Sequence, residues 1–585
     1  MIEKMTKYSF VLMSSESDEF LSSLQKIGLV DITRSHKPVD EKSLDLFSKA
    51  GDLRRKIGRI ASDDFTRDDE YNSLQVSISA AKKEYSERLP WGDFSVEKIK
   101  ELERQGCRLH FFDVAAKKFN REWISEYPLE IIEEAEGNVR FVIASLDATL
   151  DFPLQECQAP DGSFEETAAT LAQLSSALTA KVEELKAEKE KIPVLEEQLK
   201  EYARSLQHYL AKEAGTQAAE DTLDTYVGFA PTDKDNEVKN ALDALGVFYF
   251  AEKATKEDNP PIKLKNNWFA KNFETLTGMY GMPVYDEFDP TPVLAPFFLL
   301  FWAFCMGDIG YGLILTAVGY LVRKVDILGL KPHWRLVVTL GVGTTIIGIF
   351  LGTFFGIALA DAAWVPEGIR KCMLVGKVEF GGTGYDVSMI AAIAIGVFHI
   401  CLAMVIKAIL LTRRFGFGAA ISTWGWTLLI VGGLILAGLA FTSIISSSVT
   451  KIAVIVIGAA AFFGIYIFNT PGRNPLTNFG AGLWDTYQMA TGLLGDVLSY
   501  IRLYALGLAG GMLGGAFNDL GGMVLGGNPT WQWLPYILIL VFGHALNFAM
   551  ACLGAFVHPL RLTFVEYFKN SGYEGKGIKY EPLKQ

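Results

Sequence analysis

The chain has 585 residues and a net charge of −12, and it is half hydrophobic with 12% aromatics. Its mean hydropathy of +0.21 hides a split: residues 1 to about 285 are charged, and long apolar runs fill 292–568. That excludes a single soluble globule and, with no basic stripe, a nucleic-acid binder; it predicts a cytoplasmic domain over 1–285 and a membrane domain over 286–585.

The first residues, MIEKMTKYSFVLM, are too short an apolar stretch for a signal peptide and precede an acidic run, so the first half is expected to stay on the cytoplasmic side. A strand at Tyr8–Met13, a helix through Phe20, Leu21, Leu24 and Ile27 closed by Gly28, and a strand at Leu29–Thr33 predict an α/β lobe. Similar signals recur at Leu109–Phe112 with Arg140–Leu146, and at Asp224–Phe229, Val238–Leu245 and Val247–Phe250. Between them Leu171, Leu178, Leu185, Ile192, Leu199 and Leu206 repeat every seven residues, with Lys181 and Glu188 interrupting the companion seam. This predicts a long coiled coil kinked at Pro193, paired with helices at Leu44–Ile60 and Leu74–Leu89. A rod of this kind on a membrane protein suits a strut that holds a partner.

Apolar blocks lie at 292–322, 335–360, 386–412, 418–446, 451–468, 481–518 and 531–568. The first would span about 46 Å as one helix and carries Gly307, Asp308, Gly310 and Gly312 at its middle, so it is read as two short spans, with Asp308 a turn cap. Basic segments at Arg323–Arg335, Arg413–Arg414, Arg473 and Lys569–Lys584 all fall inside if there are eight spans and both termini are cytoplasmic. Loops 361–385 and 520–530 then face outward. The last two blocks, 38 residues each, would reach about 57 Å and must tilt or protrude. The fold class is therefore a mostly α membrane protein, with cytoplasmic α/β lobes on a coiled-coil hairpin and eight transmembrane helices.

Those two blocks hold Arg502 and Arg561. A guanidinium stays charged, and placing one at bilayer depth costs roughly 2.5–3.5 kcal/mol. On an α-helix the neighbours lie at three and four residues. Arg502 then faces Leu498, Ser499, Ala505 and Leu506, and Arg561 faces Val557, His558, Phe564 and Val565, so neither meets an acid on its own helix. A counter-ion is expected from another helix or another polypeptide. Arg561 has the simpler option of reaching the headgroups. His544, Asn547, Ala551, Gly554, His558 and Arg561 share one helix face, and Gly492, Asp496, Ser499 and Arg502 form a comparable band. Either could line an aqueous path. His399 and His544 suit a satisfied interior or a proton relay, and the glycines of 507–522 suit close helix packing.

GLLGDVLSYIRLYALGLAGG resembles the signature of the membrane stator subunit of rotary V-type and archaeal-type ATPases, subunit a or subunit I. HPLRLTFVEYFKN resembles that family's second arginine motif, and DEFDPTPVLAPFFLLFWAFCMGDIGYGL its first membrane hairpin. The opening MIEKMTKYSFVLM and LPWGDF are similar to bacterial members, so the resemblance runs along the whole chain. It implies that a ring of proteolipid subunits in the plasma membrane carries the carboxylate that meets Arg502. It also implies two offset ion half-channels, with Arg561 in support. The N-terminal half would touch peripheral stalks and the central stalk of the catalytic sector. Where eukaryotic relatives place a glutamate, this chain has Ala551, leaving His544, Asn547 and His558 as the polar groups of that route.

No GxxxxGK[ST] loop is present, the six cysteines lack metal-ligand spacing, and no nucleophile–base set stands out. No cofactor is expected and the chain is not read as an enzyme on its own. The alternative function is a secondary ion transporter with a cytoplasmic regulatory domain; the absence of a repeat between 292–412 and 418–568 disfavours it. A scaffold with structural arginines is a third reading.

Overall fold

The computed structural model describes residues 1–584 apart from 36, 38, 62–67, 93–94, 136, 147–149, 151, 158–161, 163, 219–221, 326–328, 362–364, 381, 471–472 and 525–531. It forms two compact units, Ser35–Leu210 and the remainder, Met1–Arg34 with Ala211–Gln585.

In the larger unit, β1 (Met5–Met13), α1 (Ser17–Ile27) and β2 (Asp31–Ile32) come from the N-terminal stretch. The sheet of Ser35–Leu210 contributes the next three strands in chain order, β3 (Arg108–Ala115), β4 (Leu129–Ala135) and β5 (Asn138–Ser145), in antiparallel order β3-β5-β4 around Phe112, Val139, Phe141 and Ile143. Past that inserted unit the chain returns with β6 (Thr216–Ala218), β7 (Leu223–Pro231) and β8 (Phe248–Lys253). The first and third sequence signals build one antiparallel sheet, β2-β7-β1-β8. That is the split βαβ arrangement. Alternating residues of the strands, Tyr8, Phe10 and Tyr226, meet Phe20, Leu21 and Leu24 of α1 in its core.

The inserted unit carries α2 (Glu41–Ala61), α3 (Asp69–Arg88), α4 (Phe164–Glu188) and the start of α5 (Ile192–Glu213). Lys181 bonds Glu70 at 2.6 Å, and Arg88 donates to Thr167 at 2.9 Å, so α3 and α4 run antiparallel. Lys181, which breaks the apolar seam in sequence, is thus answered by a charge on the facing helix. Helix α4 gives way to a 3-10 turn at Lys189–Lys191, and Pro193 falls in the first turn of α5, where its missing N–H removes no helical hydrogen bond.

After α6 (Asp235–Leu245) come the apolar helices: α7 (Thr291–Met306), α8 (Ile309–Lys324), α9 (Trp334–Leu351), α10 (Val387–Phe415), α11 (Phe417–Phe441), α12 (Ser447–Ile467), α13 (Pro475–Val524) and α14 (Trp533–Ser571). Six, α9 to α14, are long and apolar enough to cross a membrane. Residues such as Phe441, Ile455 and Leu476 face outward, an exterior suited to lipid rather than water. Helices α7 and α8, 16 residues each, are the two halves of the first block. They separate at Gly307, left-handed at φ 59°, and Asp308, which caps α8. Helix α13 has 50 residues, or about 75 Å, longer than its apolar block. The expected loop at 520–530 begins only beyond Val524 and then falls outside the described residues.

The segment after α14 returns to the first sheet. Leu583 is fully buried in its core, Tyr580 donates to the Leu29 carbonyl at 2.5 Å, and the Glu581 N–H donates to Asp31 at 2.8 Å. Where this segment passes α10, Arg414 grips Asp286 through two hydrogen bonds, at 2.6 and 3.0 Å, and reaches Glu574 at 3.3 Å. The fork holds the Asp286 carboxyl down at about 2.

Candidate functional site

Arg502 projects from α13 between buried Tyr500 and Leu503 and is itself half-buried. Arg561 is exposed near the lower end of α14, on a row with Leu546, Met550, Leu553 and Val557, all exposed. Both charges act on His558, whose Nδ1 is buried without a partner, and that of Arg502 also reaches Cys305 on α7. Among the described residues no hydrogen bond or ion pair reaches either guanidinium.

The α-helical spacing misses one acid. Helix α14 contains a π-helical turn, Leu562–Tyr567, which widens the repeat and brings Glu566 within range of Arg561 five residues earlier. The charge of Arg561 thus acts on an acid of its own helix that α-helical spacing does not reach, without an ion pair between them. Glu566 is buried with Oε2 unpartnered, beside Ser499. An acid inside LTFVEYF was visible in sequence; the change of helical period was not.

Two polar groups flank the arginines. Toward the start of α13, Asp496 accepts from Asn570 at 2.8 Å and lies 3.7 Å from Lys569. Ser499 donates to the Gly495 carbonyl at 3.0 Å. The other group stands about 12–24 Å along α13 from Arg502, between Gly510 and Asn518. There His544 bonds the Tyr311 hydroxyl through Nδ1 at 2.9 Å and Asn518 through Nε2 at 3.0 Å. Asn547 donates to Tyr311 at 2.8 Å and to the Gly510 carbonyl at 2.8 Å. Tyr311 and Asn518 were not singled out by sequence; they join because α8 and α13 both pass His544. The predicted stripe of α14 is thus divided: His544 and Asn547 belong to this cluster, while His558 and Arg561 join Arg502.

A single carboxylate holds the ground beneath that cluster. Asp308 accepts N–H groups from Gly310, Tyr311 and Phe355 on Oδ1, at 2.8, 3.2 and 2.9 Å, and from Gly356 on Oδ2 at 2.8 Å. It caps α8, as expected, and also ties down the hairpin of β9 (Thr353–Phe354) and β10 (Ile357–Ala358). Helix α13 passes close by through its glycines: a Cβ at Gly507 would meet the Phe304 carbonyl oxygen at 2.5 Å. His399 is an interior residue, fully buried between Phe297 and Tyr567, with Nδ1 on the Tyr500 hydroxyl at 3.0 Å and Nε2 buried without a partner.

The chain is similar to known proteins. The model of the V-type ATPase 116kDa subunit family matches residues 133–328. A-type ATP synthase subunit I of Methanocaldococcus jannaschii is 31% identical over 59% of this chain and 52% of its own length. The chain thus spans about half the length of such archaeal relatives. V-type ATP synthase subunit I of Borreliella burgdorferi aligns over 100% of both chains at 23% identity, and that of Chlamydia trachomatis over 99% and 98% at 26%.

Proposed function

We propose that this chain, which is similar to the V-type ATPase 116kDa subunit family over residues 133–328, is the ion-conducting stator against which a proteolipid ring turns. The observation that carries this reading is Arg502: a permanent charge on an apolar helix, half-buried, with no hydrogen bond or ion pair from its own chain among the described residues. An outside carboxylate supplies what is missing. A cation a few Å away lowers a carboxylate's pKa by about 1–3 units, enough to make it release its proton or sodium ion.

The two polar groups support two offset half-channels. Asp496, Ser499 and Glu566 would line the route on the cytoplasmic side, and Tyr311, Asn518, His544 and Asn547 the route on the far side, with Arg502, His558 and Arg561 preventing a direct leak. The exposed row on α14 offers an apolar bearing surface for the ring. Residues 578–583 pack on the first sheet, so an even number of crossings separates that sheet from the segment after α14. Six long helices plus the α7–α8 hairpin give eight, with both termini cytoplasmic. The peripheral and central stalks would be held by the residues before α7.

Replacing Arg502 by Gln tests the reading. The particle should assemble with its ring while coupled ion transport is lost. Transport retained, or assembly lost with no transport defect in the assembled fraction, would favour a structural arginine.

A further inference from the structure

Two cavities lie end to end along α10, α11 and α13, the first also bounded by α14. The first, about 320 Å³, is polar: it is lined by Lys407, Asp485, Asp496 and Lys569. The second, about 360 Å³, is apolar: it is lined by Ile400, Leu429, Gly433 and Val497. Leu493 lines both. All three helices give the same order. Going from the polar to the apolar cavity means moving from Lys407 to Val397, from Ser422 to Ala437, and from Asp485 to Val497. The last step is about 18 Å of helix, close to half of a bilayer's 40–45 Å including headgroups.

The polar cavity carries an unusual charge pattern. Lys407 and Lys569 lie near enough for their charges to oppose each other. Among the described residues no hydrogen bond or ion pair reaches Lys407, and Lys569 has only the loose contact to Asp496 at 3.7 Å. Two ammonium groups together call for an anion between them. Further out along α13, Asp485 accepts from Asn469 at 2.8 Å through one oxygen. The apolar cavity owes its opening to a π-helical turn at Leu428–Gly432 and to the bare Gly433 after it.

We propose that this groove holds one glycerophospholipid with an ammonium-bearing headgroup. Its phosphate sits between Lys407 and Lys569, its ammonium faces Asp485, and an acyl chain lies past Leu493 against Gly433. Lipid seated there closes the groove on the side of Asp496, so that water reaching Asp496 does not spread between the helices.

The test uses the full chain purified in detergent, stripped of lipid, and given phosphatidylethanolamine or phosphatidylglycerol, with bound lipid counted by native mass spectrometry. One phosphatidylethanolamine should be retained per chain. Gly433→Phe should reduce retention at least tenfold by filling the apolar cavity; a Cβ there meets nothing within 4 Å, so the fold should tolerate it. Lys407→Gln should weaken retention of both lipids, and Asp485→Asn should erase the preference for phosphatidylethanolamine. No retained lipid, or retention unchanged by both Gly433→Phe and Lys407→Gln in folded, monodisperse protein, would overturn the proposal and leave the polar cavity a water vestibule.

Discussion

Arg561 and Glu566 stand five residues apart on one helix, and the π-helical turn Leu562–Tyr567 brings the carboxyl under the arginine's charge. An α-helix would have turned them apart. This neighbour distinguishes the two arginines chemically: the charge of Arg561 acts on an acid of its own helix, whereas that of Arg502 acts on His558 and Cys305.

Glu566→Gln should therefore leave the particle assembled but lower coupled ion transport by about tenfold, equivalent to about 1.4 kcal/mol in the rate-limiting barrier. Ion uptake into vesicles driven by ATP would read this out. Unchanged uptake would show that the carboxyl has no part in the route.

Asp308 should matter for stability more than for transport. Asp308→Ala leaves four N–H groups without their acceptor, and at about 1–3 kcal/mol for each buried unsatisfied group the loss should exceed 3 kcal/mol. Asp308→Asn keeps one acceptor oxygen and should cost less. Thermal unfolding of the two variants in detergent would rank them.

The glycines of α13 should not be equivalent. Gly507→Ala forces a Cβ against the Phe304 carbonyl oxygen and should loosen α13 from α7. At Gly510 and Gly511 nothing lies within 4 Å, so Ala there should be neutral or add about 0.5–1 kcal/mol through helix propensity. Melting temperatures of the three variants would separate close packing from a general need for glycine.

The tail contact should depend on pH. Burial pushes the Asp31 carboxyl up to about 6 in spite of Arg34 at 3.1 Å. The folded state thus binds this proton more tightly than the unfolded chain does. The stability it contributes is complete below about pH 4 and is lost as pH rises through 6, by up to about 3 kcal/mol. Hydrogen-exchange protection factors of residues 578–584 should accordingly fall between about pH 4 and 6. Asp31→Asn should remove that dependence.

Much of this was written locally in the chain. The break at Gly307–Asp308 is legible because a left-handed glycine and an N-cap aspartate are local requirements. The charge of Arg502 is legible because an arginine in an apolar helix conflicts with its surroundings whatever the fold. What stayed hidden depends on distant pairing or a change of period. The βαβ signals at residues 8–33 and 224–250 read as separate lobes, yet β1 pairs with both β7 and β8 across an insertion of some 200 residues. Glu566 was invisible to α-helical spacing, and Tyr311 and Asn518 acquire meaning only once three helices bring them to His544.

The most direct measurement is high-resolution imaging of the assembled particle, with the surroundings of the Arg502 guanidinium resolved. A carboxylate of the neighbouring ring is expected within about 4 Å of it at one rotary position. An Arg502 paired with Glu566 or Asp496 of its own chain, or turned out to the lipid headgroups, would contradict it.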